Sequence, residues 1–177
     1  MTKESNQKPF CNQAFIDGQN LFLGTTTSSN PWKVDLYRLR EYLRKKYGVA
    51  KAYYFLGCMD TNRQDLYDLI QDAGFILVFR AHNENVASNK KGNVDTDIVF
   101  TMMRNFHENA EIDKFFLVSG DGDYYKTAKY LRDQGKLGKV LFPAQHKASS
   151  LYRQLGNAYY GYLDWPGVRE KIKLEDD

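Results

Sequence analysis

Five short apolar segments alternate with helical patterns along the chain, and this alternation constrains the fold more than any other feature. The segments are residues 13–16, 52–56, 75–79, 115–118 and 140–142. A strand–helix unit repeated in this order predicts a parallel sheet with right-handed crossovers and helices on both faces. The run 75–79 (F-I-L-V-F) is apolar throughout, so we expect a strand that is covered on both faces.

Amphipathic stripes place helices between these strands. Leu36, Leu39 and Leu43 recur at spacings of three and four, which predicts a helix that ends at Gly48. Comparable patterns predict helices over residues 66–73, 94–106, 124–134 and 148–155. Residues 24–33 and 82–93 are polar and lack periodicity, so we expect loops there, with an edge strand over 159–163 and a frayed tail over 171–177.

The length of the chain, 177 residues, fits a single domain with a core over about residues 12–165 between polar and charged tails. Its first residues lack the apolar core of a signal peptide, and no apolar run approaches the roughly 18 residues of a membrane span. We therefore expect a cytoplasmic protein without membrane association. The two cysteines imply no disulfide framework, and a net charge of +3 permits a polyanionic partner without requiring one.

Acidic and amide side chains follow the predicted strands at the points where the strands end. Asp17 follows the first strand and Asn20 lies three residues later, while Asp121 and Asp123 follow the fourth strand. Asp95 opens the helix after the third strand. Because ligands bind at the carboxyl ends of parallel strands, we expect these side chains to meet at one edge of the sheet.

Each acidic residue also has a purely structural interpretation. Asp17 before Gly18 is typical of a tight turn, and Asp95 is typical of a helix N-cap. Asp97 would complement the helix dipole, because one helix turn aims only one of Asp95 and Asp97 straight into the cleft. Ser119 either orients a carboxylate or has a structural role, and one aspartate of S-G-D-G-D is alternatively a cap.

The acidic residues are more informative together than separately. Several like charges side by side are costly to bury unless a cation neutralises them. We therefore predict that Asp17, Asp95 and Asp121 hold Mg²⁺ or Mn²⁺, directly or through water, and that Asp123 completes the acidic wall. No triad-like pattern of Ser, His or Cys is present, so the expected nucleophile is water.

Three segments carry a family resemblance: F-I-D-G-Q-N-L (15–21), K-G-N-V-D-T-D-I-V (91–99) and L-V-S-G-D-G-D-Y (117–124). In order and spacing they resemble the core motifs of NYN-domain proteins, a family of PIN-like nucleases that includes the LabA-like branch. The resemblance covers residues 15–163 and implies a three-layer α/β/α PIN-like (Rossmann-like) fold with a central parallel sheet of about five strands. It also implies a divalent-metal site, with Asp17, Asn20, Asp95, Asp121 and Asp123 at the family's acidic and amide positions, and ribonuclease activity.

Basic and aromatic residues near the predicted site suit an RNA substrate. Lys90 and Lys91 precede Asp95, and Lys126 lies on the helix next to Asp123, so we expect all three lysines to meet substrate phosphates. Tyr125 is the expected base-stacking residue. Tyr124 fits the apolar stripe of its helix, and we assign it to the core.

The sequence thus predicts a Mg²⁺- or Mn²⁺-dependent endoribonuclease that acts on single-stranded or structured RNA. The main alternative is a non-catalytic PIN-like module that binds RNA or protein. A phosphotransferase or phosphatase, suggested by D-T-D-I-V, is disfavoured because Asp95 follows a polar segment and not a strand. The aromatic segment 159–165 either supports a homodimer or covers the sheet edge.

Overall fold

The computed structural model describes residues 11–80 and 94–175. A six-stranded sheet runs through the described residues in the order β3-β2-β1-β4-β5-β6, and all of its strand pairs are parallel. The strands are β1 (Asn12–Asp17), β2 (Val49–Leu56), β3 (Ile76–Phe79), β4 (Phe115–Val118), β5 (Leu137–Phe142) and β6 (Tyr160–Tyr162). The predicted α/β fold with a central parallel sheet is therefore confirmed, and the expected edge strand becomes β6.

Helices cover both faces of this sheet. They are α1 (Gly18–Thr26), α2 (Leu36–Tyr47), α3 (Gln64–Asp72), α4 (Val94–Glu108), α5 (Tyr125–Asp133) and α6 (Pro166–Ile172). Two hydrophobic clusters form, because β1 sends Ala14 and Ile16 to one face and Phe15 to the other. The first cluster includes residues of α1, α2, α3 and α6, and the second includes residues of α4 and α5. These two clusters produce the three-layer α/β/α arrangement.

The strand order reverses at β1, because the chain builds outward through β2 and β3 on one side and through β4, β5 and β6 on the other. Open parallel sheets bind ligands in the crevice beyond the carboxyl ends of the strands at such a switch point. The crevice here lies between the ends of β1 and β4. It is the position that Asp17 and the segment after Val118 occupy.

The prediction for residues 75–79 was wrong in one respect, because β3 is an edge strand and is not covered on both faces. Ile76 is 43% exposed, and β3 pairs with β2 alone. An apolar run reveals that a strand is present, but the order of strands in the sheet depends on how the crossovers pack.

Three further segments differ from the expectation. Residues 24–33 are not loop throughout, since α1 continues to Thr26, and the stretch predicted as a helix over 148–155 is a 3₁₀ helix, Ser150–Leu155. The tail is not frayed at its start, because Ile172 is fully buried and Lys173 forms a bridge with Val34. None of the described helices combines the length and apolar content needed to cross a membrane.

Candidate metal centre

Asp17 joins the end of β1 to the start of α1. Its side chain is almost fully buried, at 6% exposure. One carboxylate oxygen accepts a hydrogen bond from the backbone N–H of Asn20 at 2.9 Å and so caps α1. The other oxygen accepts a hydrogen bond from the hydroxyl of Tyr124 at 3.0 Å. The structural alternative for Asp17, a tight turn before Gly18, is therefore wrong, because Asp17 is a buried N-cap and a helix follows it directly.

Asn20 connects this helix to the segment after β4. Its side-chain oxygen accepts a hydrogen bond from the backbone N–H of Gly120 at 2.9 Å. The contact spans the switch point of the sheet, so it fixes the spacing between the ends of β1 and β4. The amide group of Asn20 also lines the cleft described below.

The segment after β4 presents two aspartates in one tight turn. The carboxylate of Asp121 accepts a hydrogen bond from the backbone N–H of Asp123 at 3.0 Å. The buried hydroxyl of Ser119 accepts a hydrogen bond from the backbone N–H of Asp121 at 3.2 Å. Ser119 therefore contacts the main chain of the turn, while Tyr152 donates its hydroxyl to the backbone oxygen of Asp121.

The two aspartates in the first turn of α4 have different surroundings. Asp95 is half-buried, lines the cleft and accepts a hydrogen bond from the hydroxyl of Tyr124. Asp97 does not line the cleft, and its oxygen Oδ2 is buried without a hydrogen-bond partner among the described residues. The expectation that only one of the two side chains points into the cleft agrees with this arrangement.

Three carboxylates come close enough to share one ion. Asp95, Asp121 and Asp123 each offer one oxygen, and these oxygens all lie within 4.8 Å of one another. Asp17 lies outside this group and is connected to it through Tyr124. The geometry therefore brings together Asp95 and Asp121, as predicted, but the third member of the group is Asp123 and not Asp17.

The chemistry of these donors fits the predicted cofactor. Carboxylate oxygens are the ligands that Mg²⁺ and Mn²⁺ prefer, with water completing the coordination. No nitrogen or sulfur donor belongs to the cluster among the described residues. Neighbouring carboxylates repel one another in the absence of a cation, so cation binding relieves a repulsion that is built into the fold.

Tyr124 is the residue of this site that the sequence reasoning missed. It is fully buried, as the apolar stripe of the helix predicted over residues 124–134 implies, yet its hydroxyl contacts both Asp17 and Asp95. Burial raises the pKa of Tyr124, and the negative charge of Asp17 raises it further. A tyrosine at a core position was the available signal, because a buried phenol needs a polar partner for its hydroxyl.

The pKa of Asp17 is also raised above its usual value. Burial is the largest cause, and repulsion from Asp95 and Asp121 adds to it. The hydrogen bonds from Asn20 and Tyr124 act in the opposite direction but do not cancel the effect of burial. Asp17 is therefore a carboxylate whose ionised form the metal-free fold disfavours.

An open cleft of about 580 Å³ lies over these residues. Its lining comprises Asp17, Gln19, Asn20, Leu23, Gly24, Val94, Asp95, Gly120, Asp121, Pro143, Ala144 and Lys147. Of these residues, Lys147 alone carries a positive charge. The sequence reasoning missed it, although the rule that ligands bind beyond the carboxyl ends of strands applies to the segment after β5 as well.

Of the predicted RNA-binding residues, Lys126 and Tyr125 do not line this cleft. Lys126 is exposed on α5, and Tyr125 packs its ring against Tyr152 while its hydroxyl donates to Gln154 at 3.1 Å. Lys90 and Lys91 lie outside the described residues. The assignment of these four residues to RNA binding stays a prediction.

Known proteins are similar to this chain in sequence and in fold. The family model of the NYN domain matches residues 13–160. The chain is 26% identical over 168 residues to the low amplitude and bright protein LabA of Synechococcus elongatus, covering 90% of this chain and 86% of that one. A Vibrio parahaemolyticus protein of unknown function has a similar fold, with a TM-score of 0.72 at 16% identity, over 92% of this chain and 95% of that one. The resemblance to the LabA-like branch is thereby confirmed, and the chain belongs to the NYN domain family.

Proposed function

We propose that this protein is a ribonuclease that depends on Mg²⁺ or Mn²⁺ and hydrolyses internal phosphodiester bonds of RNA in the cytoplasm. The observation that carries the proposal is the group formed by Asp95, Asp121 and Asp123, whose oxygens lie within 4.8 Å of one another at the switch point of the sheet. Membership of the NYN family, which belongs to the PIN-like nucleases, supports a phosphodiester substrate.

The three carboxylates of this group would hold the ion. A bound Mg²⁺ or Mn²⁺ would lower the pKa of a water molecule and stabilise the charge that develops on a phosphoryl oxygen. Asp121 and Asp123 are fixed relative to each other by the hydrogen bond within their turn. Asp95 is held from the other side by Tyr124. Because these carboxylates are already ordered before the substrate binds, ordering them costs no free energy during the reaction.

Asp17 and Asn20 would position the carboxylates of the cluster. Asp17 shares the hydroxyl of Tyr124 with Asp95, so its position and that of Asp95 are coupled. Asn20 joins α1 to Gly120, the residue before Asp121. Asp17 also lines the cleft, where its carboxylate can accept a hydrogen bond from a water molecule of the bound ion.

The test is cleavage of a labelled single-stranded RNA with Mn²⁺, with Mg²⁺ and with EDTA, by the native protein and by an Asp121→Asn variant. Asp60→Asn is a matched control, because Asp60 follows β2 at the same sheet edge but is exposed and does not line the cleft. We expect cleavage by the native protein and by Asp60→Asn with either ion, and none with EDTA or with Asp121→Asn.

Two results would contradict the proposal. Equal cleavage by Asp121→Asn and the native protein would point to a contaminating nuclease. RNA binding without turnover under any ion would favour the non-catalytic RNA- or protein-binding module instead.

A further inference from the structure

Lys147 lines the same cleft as the acidic residues, but the proposed metal site gives it no role. It ends the 3₁₀ helix Gln145–Lys147, which follows β5. Its ammonium group donates a hydrogen bond to the backbone oxygen of Leu23 at 3.0 Å and another to the hydroxyl of Thr27. The side chain therefore crosses from the segment after β5 to the C-terminal end of α1.

In the part of the chain that the structure describes, the charge of this ammonium group is not balanced by a carboxylate. An ammonium group has three N–H donors, and the two hydrogen bonds of Lys147 go to neutral oxygens. Lys45, Lys129 and Lys173, in contrast, each form an ion pair with a carboxylate at 2.7–2.9 Å. Among the described residues no carboxylate lies within ion-pair distance of Lys147, so one N–H donor and the positive charge of this exposed side chain, which lines the cleft, stay available to a ligand.

The ammonium group is also held at a fixed place relative to the acidic cluster. On one side its segment packs closely on α1, since a Cβ atom added at Gly24 would lie 2.6 Å from the Cβ atom of Pro143. On the other side the backbone N–H of Ser149 donates to the oxygen of Gly120 at 2.9 Å. The same segment therefore touches both the helix that Asp17 caps and the turn that carries Asp121.

The distance between the ammonium group of Lys147 and the acidic end of the cleft, where Asp17 lies, indicates which kind of ligand fits. Leu23 follows Asp17 by six residues, which is about 9 Å along a helix that rises 1.5 Å per residue. Lys147 contacts the oxygen of Leu23, so its charge lies well beyond ion-pair distance from Asp17 while facing the same cleft. A ligand that serves both ends of the cleft needs one anionic group at the ion and a second anionic group farther along.

We infer that Lys147 binds the backbone phosphate next to the one that is cleaved. The substrate is then a single RNA strand that crosses the cleft from the acidic cluster to the C-terminal end of α1. This inference rests on the proposed nuclease function, and it assigns Lys147 the role of positioning the strand. The cleft of about 580 Å³ has the size of a small-molecule site, which suits a few nucleotides of a single strand.

The test measures binding of a fluorescent single-stranded RNA by anisotropy over a series of salt concentrations, in a non-cleaving Asp121→Asn background. Each phosphate contact contributes about 0.7 to the slope of log affinity against log salt for a single strand. We expect Lys147→Gln to weaken binding several-fold and to reduce this slope by about 0.7, and Lys147→Arg to restore both. Lys51→Gln is the matched control, because Lys51 is exposed at the opposite, amino-terminal edge of the sheet.

The melting temperature of each variant separates this role from a structural one. A lower melting temperature of Lys147→Gln with an unchanged salt slope would make Lys147 a cap of α1 and overturn the inference. Equal slopes for Lys147→Gln and Lys51→Gln would overturn it too, even if the native protein cleaves RNA. If the native protein never cleaves RNA but the slope still depends on Lys147, the nuclease proposal would be overturned, and of the inference only the binding of a strand phosphate by Lys147 would stand. Failure of the Asp121→Asn protein, in which the lysine variants are made, to bind RNA would overturn both the inference and the nuclease proposal.

Discussion

Replacing Asp17 by Asn should stabilise the metal-free protein. The hydroxyl of Tyr124 carries one proton, yet it contacts the carboxylates of both Asp17 and Asp95. With both carboxylates ionised, one of the two contacts has no hydrogen between its oxygens. In Asp17→Asn the new amide N–H donates to the oxygen of Tyr124, and the proton of Tyr124 is left for Asp95. The amide oxygen still accepts the N–H of Asn20, and Asn is as good an N-cap as Asp.

The magnitude follows from two contributions. Satisfying a charged group that was buried without a partner contributes about 1–3 kcal/mol. Removing a negative charge from the N-terminus of α1 costs about 0.3–1 kcal/mol through the helix dipole. The net expectation is a gain of about 1–2 kcal/mol in the free energy of unfolding. For a chain of this size, that gain corresponds to a rise of about 2–8 °C in melting temperature.

The gain should depend on pH. The pKa of Asp17 is raised above its usual 3.8 in the folded protein, so folding is favoured when this group is protonated. That contribution is fully present below the unfolded pKa and is lost as the pH rises through the folded pKa. The advantage of Asp17→Asn should therefore be smallest near pH 4 and should grow as the pH rises through the folded pKa of Asp17.

The assay is thermal unfolding followed by circular dichroism, in EDTA, between pH 4 and pH 8. Asp35→Asn serves as the control, because Asp35 caps α2 through the N–H of Arg38 at 3.0 Å but lies 3.6 Å from the guanidinium of Arg38. The control should lose stability slightly or not change. A lower melting temperature of Asp17→Asn at pH 7, or a difference that does not vary with pH, would refute the reasoning. With Mn²⁺ and RNA, the same variant should not cleave.

Three other predictions address the cleft and its ion. Tyr124→Phe should destabilise the metal-free protein by about 1–3 kcal/mol in urea unfolding, because two carboxylates lose their shared donor; an unchanged midpoint would show that the hydroxyl is dispensable. Mn²⁺ at about 100 times its Kd should add about 2.7 kcal/mol to the free energy of unfolding. This gain should be smaller in Asp123→Asn and unchanged in Asp97→Asn, because Asp97 lies outside the cluster. Equal gains in the two variants would show that Asp123 does not bind the ion. Phe22→Ala should weaken single-stranded RNA binding by about 1–3 kcal/mol at an unchanged melting temperature, because this ring is 60% exposed on α1 next to Leu23, which lines the cleft although Phe22 itself does not. Unaltered affinity would exclude base stacking there.

Much of the fold could be predicted from local sequence. The apolar run of β4 and the stripe of α2 with its glycine stop at Gly48 are properties of neighbouring residues, and the structure has both where the pattern places them. The acidic residues follow strand ends in the sequence, so the parallel topology is sufficient to bring Asp95 and Asp121 to one edge. The three motifs predicted the family for the same reason, since each motif is a short contiguous segment.

Other features depend on contacts between residues that are distant in the chain. Which carboxylates can share an ion depends on the turn that joins Asp121 to Asp123 and on the packing of α4, so the pattern of strand ends could not distinguish Asp17 from Asp123. The sequence pattern indicates a core residue at Tyr124, and its ring is indeed buried. Only the tertiary fold places the hydroxyl of Tyr124 between two carboxylates.

The sequence by itself determined the α/β alternation, the family and the acidic edge, because periodicity and motifs are encoded in adjacent residues. The tertiary structure decided that β3 is an edge strand, that Tyr124 belongs to the site and that Lys147 lines the cleft. The oxygen of Leu23 that anchors Lys147 is 124 positions away along the chain. Such a contact exists only after the crossovers have packed, and no local pattern encodes it.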